Sequence, residues 1–593
     1  YNFPPLILGM SALTKWFDRL SMFLSMAIIA FFIWDFGFEH VHGVLYSYQW
    51  VYFLYLFIVA PISFYGDREK WRSFHWSYFK TFSFIIHFIS LLTIFYTAYD
   101  LLFKGITLWH QHALGSFSLA WILFFAGLIS IQHSLYLERF KIHPNLLFTS
   151  SFTLIILIGS LLLMLPNATE EGIDFIDALF TATSAVCVTG LTVMNTATDF
   201  SDLGQWIILF LIQIGGIGIM TYTGLVAYIL RGGSSISNQI ILKEMVNAKV
   251  IGGVMNVIRK ILFITLMTET IGACILYYFM PESSGYRTVP YAVFHAVSAF
   301  CNAGFSTITD GLADPHIAQA GGVLMIIMTL IILGGLGFNI VFDVYDAVIN
   351  RLHRLYLEVI RRDQLPPLRK KVHINTRITL VTTGSLLLFG TIMYYILEKH
   401  QLFGKLDEGQ RWLQAMFMSV TTRTAGFNTM NLNTLSLASI MVTLLLMYVG
   451  ASPNSTGGGI KTTVFAIGIL NIVSLTRGKK NIEIESRIVA ENSIRKAFAV
   501  IGLSILAIGI YIFLLSLSEK QFTLNQMIFE VFSAFGTVGL SLDVTPHLST
   551  IGKVIIIFAM FTGRVGLFSL MLGLVPKAAS MRYQLPAEEL VVY

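Results

Sequence analysis

Residues 184–193 read SAVCVTGLTV, and the same pattern returns as SAFCNAGFST at 298–307, TTRTAGFNTM at 421–430 and SAFGTVGLSL at 533–542. The central glycines, Gly190, Gly304, Gly426 and Gly539, recur at spacings of 114, 122 and 113 residues, the mark of one unit present four times. Each stretch is too irregular to be a membrane-spanning helix. Four copies can surround one axis, so the pattern predicts an ion pore made from a single polypeptide.

The surrounding chain supports a membrane setting. Of 593 residues, 55% are hydrophobic and 12% charged, and the mean hydropathy of +0.72 lies far outside the range of soluble domains. A helix needs ~20 apolar residues to cross the hydrocarbon core, and about a dozen stretches of that length can be counted. The fold class expected is an all-α polytopic membrane protein. The net charge of +6 does not point to nucleic acid, because the basic residues fall in short loops between apolar runs: Arg68 to Arg72, Arg139 to Lys141, Lys243 to Lys260, Arg351 to Arg377, Arg477 to Lys496 and Lys577 to Arg582. The positive-inside rule puts these loops, and both chain termini, in the cytoplasm. Cys187, Cys274 and Cys301 lie in apolar surroundings and suggest neither a disulfide framework nor a thiolate metal site. The first apolar run is long enough to remain in the bilayer, so no cleavable leader is expected; the chain starts at Tyr1 rather than Met.

Apolar runs near Phe17 to Phe36, Tyr48 to Phe64, Tyr78 to Phe103 and Ser116 to Leu135 lack the glycine pattern, and residues 1–143 read as an accessory bundle of four spans. From Pro144 the plan is periodic: long helix, short amphipathic segment, glycine stretch, second long helix. The units are assigned to 144–255, 256–373, 374–489 (with a gating loop) and 490–593 (with a C-terminal tail). The short segments, such as Phe175 to Val186 and Tyr291 to Phe300, are too brief to cross and suit half-helices that turn back. Irregular backbone at that depth survives only against protein or water, so the glycine stretches must line a cavity.

Backbone carbonyls from converging strands can replace the hydration shell of K+ without fixed charge. Glycine enters φ > 0 at little cost, which lets successive carbonyls face the axis. The candidate donors are Val188, Thr189, Gly190 and Leu191; Asn302, Ala303, Gly304 and Phe305; Thr424, Ala425, Gly426 and Phe427; and Thr537, Val538, Gly539 and Leu540. The carbonyl-rich end of each preceding half-helix would face a cation at the centre. Asp199, Asp202, Asp310 and Asp543 follow the glycines and read either as a cation-gathering rim or as solvated loop surface.

The second long helices also carry glycine clusters. Gly215, Gly216 and Gly218, then Gly334, Gly335 and Gly337, then Gly563 and Gly566 read as close helix packing. In the third unit, GASPNSTGGGIKTT at 450–463 breaks the helix with Pro453, polar side chains and the run Gly457, Gly458 and Gly459. Such a loop beneath the filter reads as a gate; the alternative is a passive kink. Arg564 sits mid-span, where an unpaired guanidinium would cost at least ~2.5 kcal/mol, so it must face the interior, with carbonyls of the broken third-unit helix as neighbours. Lys461, also assigned to the gate, has the alternative of snorkelling to the cytoplasmic surface, and Arg423 either braces the half-helices or lies at a surface.

With these residues in hand, TATSAVCVTGLTV, AVSAFCNAGFST, TTRTAGFNT, SAFGTVGLS, GASPNSTGGGIKT and TGRVG resemble the Trk/Ktr/HKT superfamily of potassium transporters, and most of all the bacterial Ktr-type membrane subunit. The resemblance implies four fused units around one pore, a filter glycine in each, a third-unit gating loop opposite a fourth-unit arginine, and K+ as transported ion with no organic cofactor. It also implies a homodimer in membrane lipid on a cytosolic ring of nucleotide-binding regulatory subunits, in a bacterial inner membrane. Members with serine at the first filter position tend to pass Na+, so Gly190 argues for K+. The four N-terminal spans are not part of the minimal Ktr-type pattern. A Na+-permeable or cation-coupled (Na+/K+ or H+/K+) transporter is the alternative; proton relays need carboxylates inside spans, and the repeated units hold few beyond Glu269 and Asp343, read as near helix ends. An enzyme is not expected: no HExxH, GxSxG or paired-cysteine motif occurs, and His110 and His112 in WHQH read as a solvated loop.

Overall fold

The structure, a computed structural model, describes residues 12–38, 49–73, 86–98, 118, 121–123, 125–126, 129, 144–218, 254–282, 285–360, 373–479, 481–484 and 487–574. Both chain termini, His110, His112 and much of the basic loops lie outside the described residues. The described part is almost wholly helical, with one small hairpin pairing Glu483–Ile484 and Arg487–Ile488. The expected all-α class holds.

After Pro144 one plan is laid down four times. An outer helix (Pro144–Leu163, Val254–Phe279, Ile374–Glu398 and Glu491–Ser518) leads to a short helix (Phe175–Cys187, Val289–Cys301, Glu408–Thr421 and Leu524–Gly536), then to a glycine segment and an inner helix (Asp202–Ile217, Gly321–Leu336, Leu437–Tyr448 and Thr550–Val565). At 13 or 14 residues the short helices reach only ~20 Å, about two thirds of the hydrocarbon thickness.

Local chemistry fixes where the inner helices begin. Ser201, Ser436 and Ser549 are N-caps, accepting from the amides of Gly204, Ser439 and Gly552 at 3.2–3.3 Å. Two of these caps are held from behind by a glutamate at the end of the outer helix, its last residue in the third unit and the residue just after it in the fourth. Glu398 accepts from Ser436 N (3.0 Å) and Oγ (2.8 Å), and Glu519 accepts from Ser549 N (2.9 Å) and Oγ (2.5 Å). A buried carboxylate at a helix start meets both the free amides and the positive end of the dipole.

Where the inner helices end differs from the sequence reading. They are not long spans in the first, second and fourth units; each stops after 16 residues at Gly218, Gly337 or Gly566, with φ of 83–85°. In the second unit the chain then turns: Phe338–Ile349 leaves Gly321–Leu336 with a bend of 101°. Hydropathy runs on through these glycines, so it cannot register the change of direction. Among the described residues, four helices are long and apolar enough to cross a bilayer, or five if this bent pair counts as one.

The units close into a ring. The inner helix of the first packs on the short helix of the second, and so on round to the inner helix of the fourth on the short helix of the first. At that last junction Lys553 Nζ donates to Asp177 Oδ1 at 2.5 Å. Within units, Gly215, Gly334 and Gly563 let the inner helix touch the short helix; a Cβ there would fall 1.9–2.1 Å from the carbonyl oxygens of Val186, Phe300 and Phe535.

The N-terminal helices Ala12–Gly37, Gln49–Ser73 and Ile86–Ala98 share a separate core around Tyr52, Leu56, Val59, Ile122 and Phe125. Tyr52 donates to Asp35 at 2.8 Å. Asn167 Nδ2 donates to Phe36 O at 3.1 Å and ties this bundle to the first unit.

Two glycine-to-alanine changes should separate packing from propensity. Gly334→Ala must push the second inner helix off its short helix and should abolish a monodisperse, thermally cooperative protein in detergent. Gly384→Ala, with no atom within 4 Å of the new methyl, should leave the protein as stable or raise stability by up to ~1 kcal/mol, read as the midpoint of thermal unfolding.

Candidate ion-conducting site

The short helix ends three residues before its glycine in the first, second and fourth units and five before it in the third, and the ending is built the same way in those three units. Val188, Asn302 and Thr537 take left-handed φ of 56°, 61° and 50°. Their amides bond the carbonyls of Ala185, Ala299 and Ala534, and the next amides bond those of Ser184, Ser298 and Ser533 at 2.7–2.8 Å. This is the paired closure of a Schellman turn, which satisfies the last carbonyls of the helix. Thr424 takes φ 69° at the matching place in the third unit. With the glycines also at positive φ, 71° to 94°, left-handed residues alternate with the residue between, and such alternation turns successive carbonyls to one side.

The four glycine segments meet. A Cβ placed on Gly190 would lie 2.5 Å from Ala303 O, on Gly304 2.7 Å from Ala425 O, on Gly426 2.5 Å from Val538 O, and on Gly539 2.1 Å from Thr189 O. Each glycine therefore backs onto the carbonyl preceding the next unit's glycine, and the sequence of contacts returns to its start. Any side chain at these positions would need an unfavourable φ and would also strike backbone. Hydroxyls hold the segments from behind: Ser184 and Ser533 Oγ accept from Gly190 N and Gly539 N at 3.1 Å, while Ser298 Oγ and Thr421 Oγ1 donate to Phe305 O (2.8 Å) and Phe427 O (2.6 Å).

On one side of the ring lies a vestibule of about 960 Å³, with the four glycines and residues of all four units in its lining. Asp199, Asp310 and Asp543 stand in its wall, and the third unit contributes Asn428, Asn431 and Asn433. Asp202 does not join them; it is exposed on the first turn of its inner helix. Carboxylates around a cavity of one sign raise the local concentration of cations.

On the other side the ring is covered by the loop between Leu437–Tyr448 and Thr462–Thr476. Gly457 and Gly458 run against the hydroxyls of Thr424 and Thr537; a Cβ on either would fall 2.1–2.2 Å from those oxygens. Backbone bonds anchor the loop to the second unit: Ser452 N to Gly335 O (3.0 Å), Thr456 N to Gly334 O (3.2 Å) and Phe338 N to Asn454 O (3.1 Å). Thr456 Oγ1 also donates to Phe300 O at 3.1 Å.

Two cations grip adjacent carbonyls of this loop. Arg564 donates through Nη1 to Thr456 O and through Nη2 to Gly215 O at 2.5 Å, bridging the third-unit loop and the first inner helix from the fourth. Lys461 Nζ donates to Gly457 O at 2.8 Å instead of reaching for the surface. Arg423 is buried and donates to Gly450 O at 3.2 Å, joining the third short helix to the base of the loop.

The cation transport protein family TrkH matches residues 116–583. The chain belongs to that family. It is an ion transporter and not an enzyme. The match begins at residue 116, before the first of the four repeated helix sets, and extends beyond the last. Among curated relatives, the potassium/sodium uptake protein NtpJ of Enterococcus hirae is 37% identical over 467 residues, covering 77% of this chain and 98% of the relative. Ktr system potassium uptake protein B of Bacillus subtilis is 36% identical over 445 residues, covering 74% and 94%. The crystal structure of the potassium transporter TrkH from Vibrio parahaemolyticus shares the fold at TM-score 0.58 and 16% identity, over 84% of this chain and 98% of that one.

Several TrkH-fold contacts were not anticipated. The bracing hydroxyls of Ser184, Ser298 and Ser533 were visible only as a repeated Ser six residues before three of the glycines. Gly215 O, the second partner of Arg564, has no sequence signal, because a carbonyl is common to every residue. Glu269 lies in the interior of Val254–Phe279, not near a helix end; buried, it accepts from Gln213 Nε2 at 3.0 Å. Asp343 accepts from Thr376 Oγ1 at 2.6 Å. Cys187 and Cys301 end short helices and are buried, whereas Cys274 is exposed on an outer helix; all three are free thiols.

Gly458→Ala should drive the loop off the ring, raising basal Rb+ flux into vesicles several-fold. Because the collision is with one side chain, chiefly its hydroxyl and methyl, adding Thr537→Ala should restore much of the low flux, and purely additive effects would show that the two positions do not press on each other.

Proposed function

We propose that this chain carries potassium into a bacterial cell across the inner membrane, through the ring of carbonyls at Gly190, Gly304, Gly426 and Gly539. The observation that carries the reading is the closed cycle in which each of these glycines backs onto a carbonyl of the next segment. Four converging segments of uncharged oxygens suit a dehydrated monovalent cation, which needs its water replaced without being trapped by charge. The short helices point their carbonyl ends at the same centre, adding negative potential there. A membrane potential of 100 mV supplies ~2.3 kcal/mol per ion for inward movement.

In this reading the loop carrying Gly457, Gly458 and Gly459 is the gate, drawn closed beneath the ring, and Arg564 and Lys461 are its latches. Release requires the guanidinium to leave Thr456 O. The same proposal includes homodimeric assembly in lipid, cytoplasmic chain termini, and control by a cytosolic nucleotide-binding partner. Relatives named as Ktr system components favour such a partner.

A Na+-permeable or Na+/K+-coupled transporter is the second reading, favoured by the potassium/sodium naming of the Enterococcus relative. Flux into vesicles separates the two. Gly304→Ser or Gly426→Ser should lower the K+ over Na+ preference by tenfold or more if the ring selects K+; wild-type protein that already passes both ions equally favours the second reading. Arg564→Gln or deletion of residues 457–459 should raise basal K+ flux several-fold, and unchanged flux in both would reject the gate.

A further inference from the structure

Two diagonal units hold the segment beyond the ring by the same side-chain clamp. In the fourth unit Glu530, nine residues before Gly539 and fully buried, accepts from Ser541 Oγ at 2.8 Å and from Thr545 Oγ1. Ser541 stands two residues past the glycine, and its Oγ accepts in turn from Val544 N at 3.1 Å. In the second unit His295, also fully buried, stands nine residues before Gly304. Its Nδ1 lies 2.8 Å from Tyr291 O, which can only accept, so Nδ1 carries the proton and Nε2 accepts from Ser306 Oγ at 2.8 Å. Ser306 is again two residues past the glycine, and its Oγ accepts from Ile308 N at 3.1 Å.

The other diagonal is built differently. The corresponding places hold Thr181 and Thr192 in the first unit and Phe417 and Asn428 in the third, and no hydrogen bond joins either pair. The third unit is tied one residue further out, by Thr429 Oγ1 donating to Gln414 Oε1 at 2.5 Å. The side-chain supports of the ring thus differ between its two diagonals, whereas a left-handed φ two residues before the glycine is common to all four units.

A buried carboxyl group is costly unless its oxygens are bonded, and every described hydrogen-bond partner of Glu530 belongs to the segment just beyond the glycine. Packing alone would be served better by an apolar residue. We propose that Glu530 and His295 are positioning residues for ion selection: by fixing the serine hydroxyls past the glycines they hold the carbonyls apart and keep the ring from closing around a smaller cation. The inference rests on the ring being the selective element. Carbonyl cages are soft, and the shell behind them decides how far they give.

The test is K+, Rb+ and Na+ flux through the full chain in lipid vesicles, with Gly304→Ser as reference. Glu530→Ala and Ser541→Ala should each lower the K+ over Na+ preference at least fivefold, and the double variant should be no worse than the stronger single one, because both break one link. Glu530→Gln, which keeps an acceptor oxygen, should retain most of the preference, a rescue that a role in bulk packing would not produce. Thr181→Ala, at the matching place in the first unit, should change nothing. Full selectivity in Ser541→Ala, the smallest change and the one best able to fold, alongside a collapsed Gly304→Ser would overturn the clamp and leave the filter standing; unchanged selectivity in Gly304→Ser as well would remove the filter reading beneath it. Additive losses in the double variant would also overturn it.

Discussion

Four glycines that must each present a bare backbone to the carbonyl of a neighbour set the terms for the rest of this molecule. The ring leaves room for nothing larger than hydrogen at Gly190, Gly304, Gly426 or Gly539. To bring the segments that close, the residue two places before each glycine takes a left-handed φ, and in the first and fourth units it does so against that residue's preference. Val188 and Thr537 are β-branched yet left-handed, a state that costs ~1–3 kcal/mol each and persists only when neighbours over-determine it. The Schellman bonds, the serine hydroxyls and the next unit's backbone supply that determination.

The inner helices follow from the same requirement. Gly215, Gly334 and Gly563 bring them into backbone contact with the short helices, and the glycine three residues later ends each helix at a positive-φ turn residue. The third unit lacks this turn and has the long loop in its place. One unit of four therefore lays a loop against Thr424 and Thr537, while the others supply what holds it: carbonyls of Gly334 and Gly335 from the second, and a guanidinium from the fourth that also takes Gly215 O from the first. Fusion into one chain makes this division possible, since identical subunits would bring four loops or none.

Much of this was legible in the residues. Repetition of a ten-residue pattern gave four units, their helix–short helix–helix plan and the glycines that meet. The isolated Arg564 announced an interior position because no lipid-facing guanidinium is tolerable mid-span. What stayed hidden has a common cause: it depends on which backbone lies opposite. GGIG and GGLG read as packing motifs and are that, but their last glycine also ends the helix at positive φ, and hydropathy carries no such information. Lys461 looked free to snorkel because its acceptor, Gly457 O, is produced by the fold of the loop. Glu269 was placed near an end, whereas Val254–Phe279 extends well past it on both sides and its partner Gln213 lies on another unit's helix. Glu530 and His295 are different residue types that both accept from a serine two places past the glycine, an equivalence that the residue names do not display.

The junction between the last unit and the first differs from the other three in one respect, that no peptide links it. Asp177 and Lys553, which bridge it, are separated by 376 residues. At ~5–20 residues per second, roughly 20–75 s pass between their synthesis on the ribosome. For that interval the first unit offers a finished carbonyl edge with no neighbour, within a bilayer where unpaired polar backbone is poorly tolerated. Birth of the protein thus includes a waiting period, and the emerging fourth unit ends it by sealing the circle.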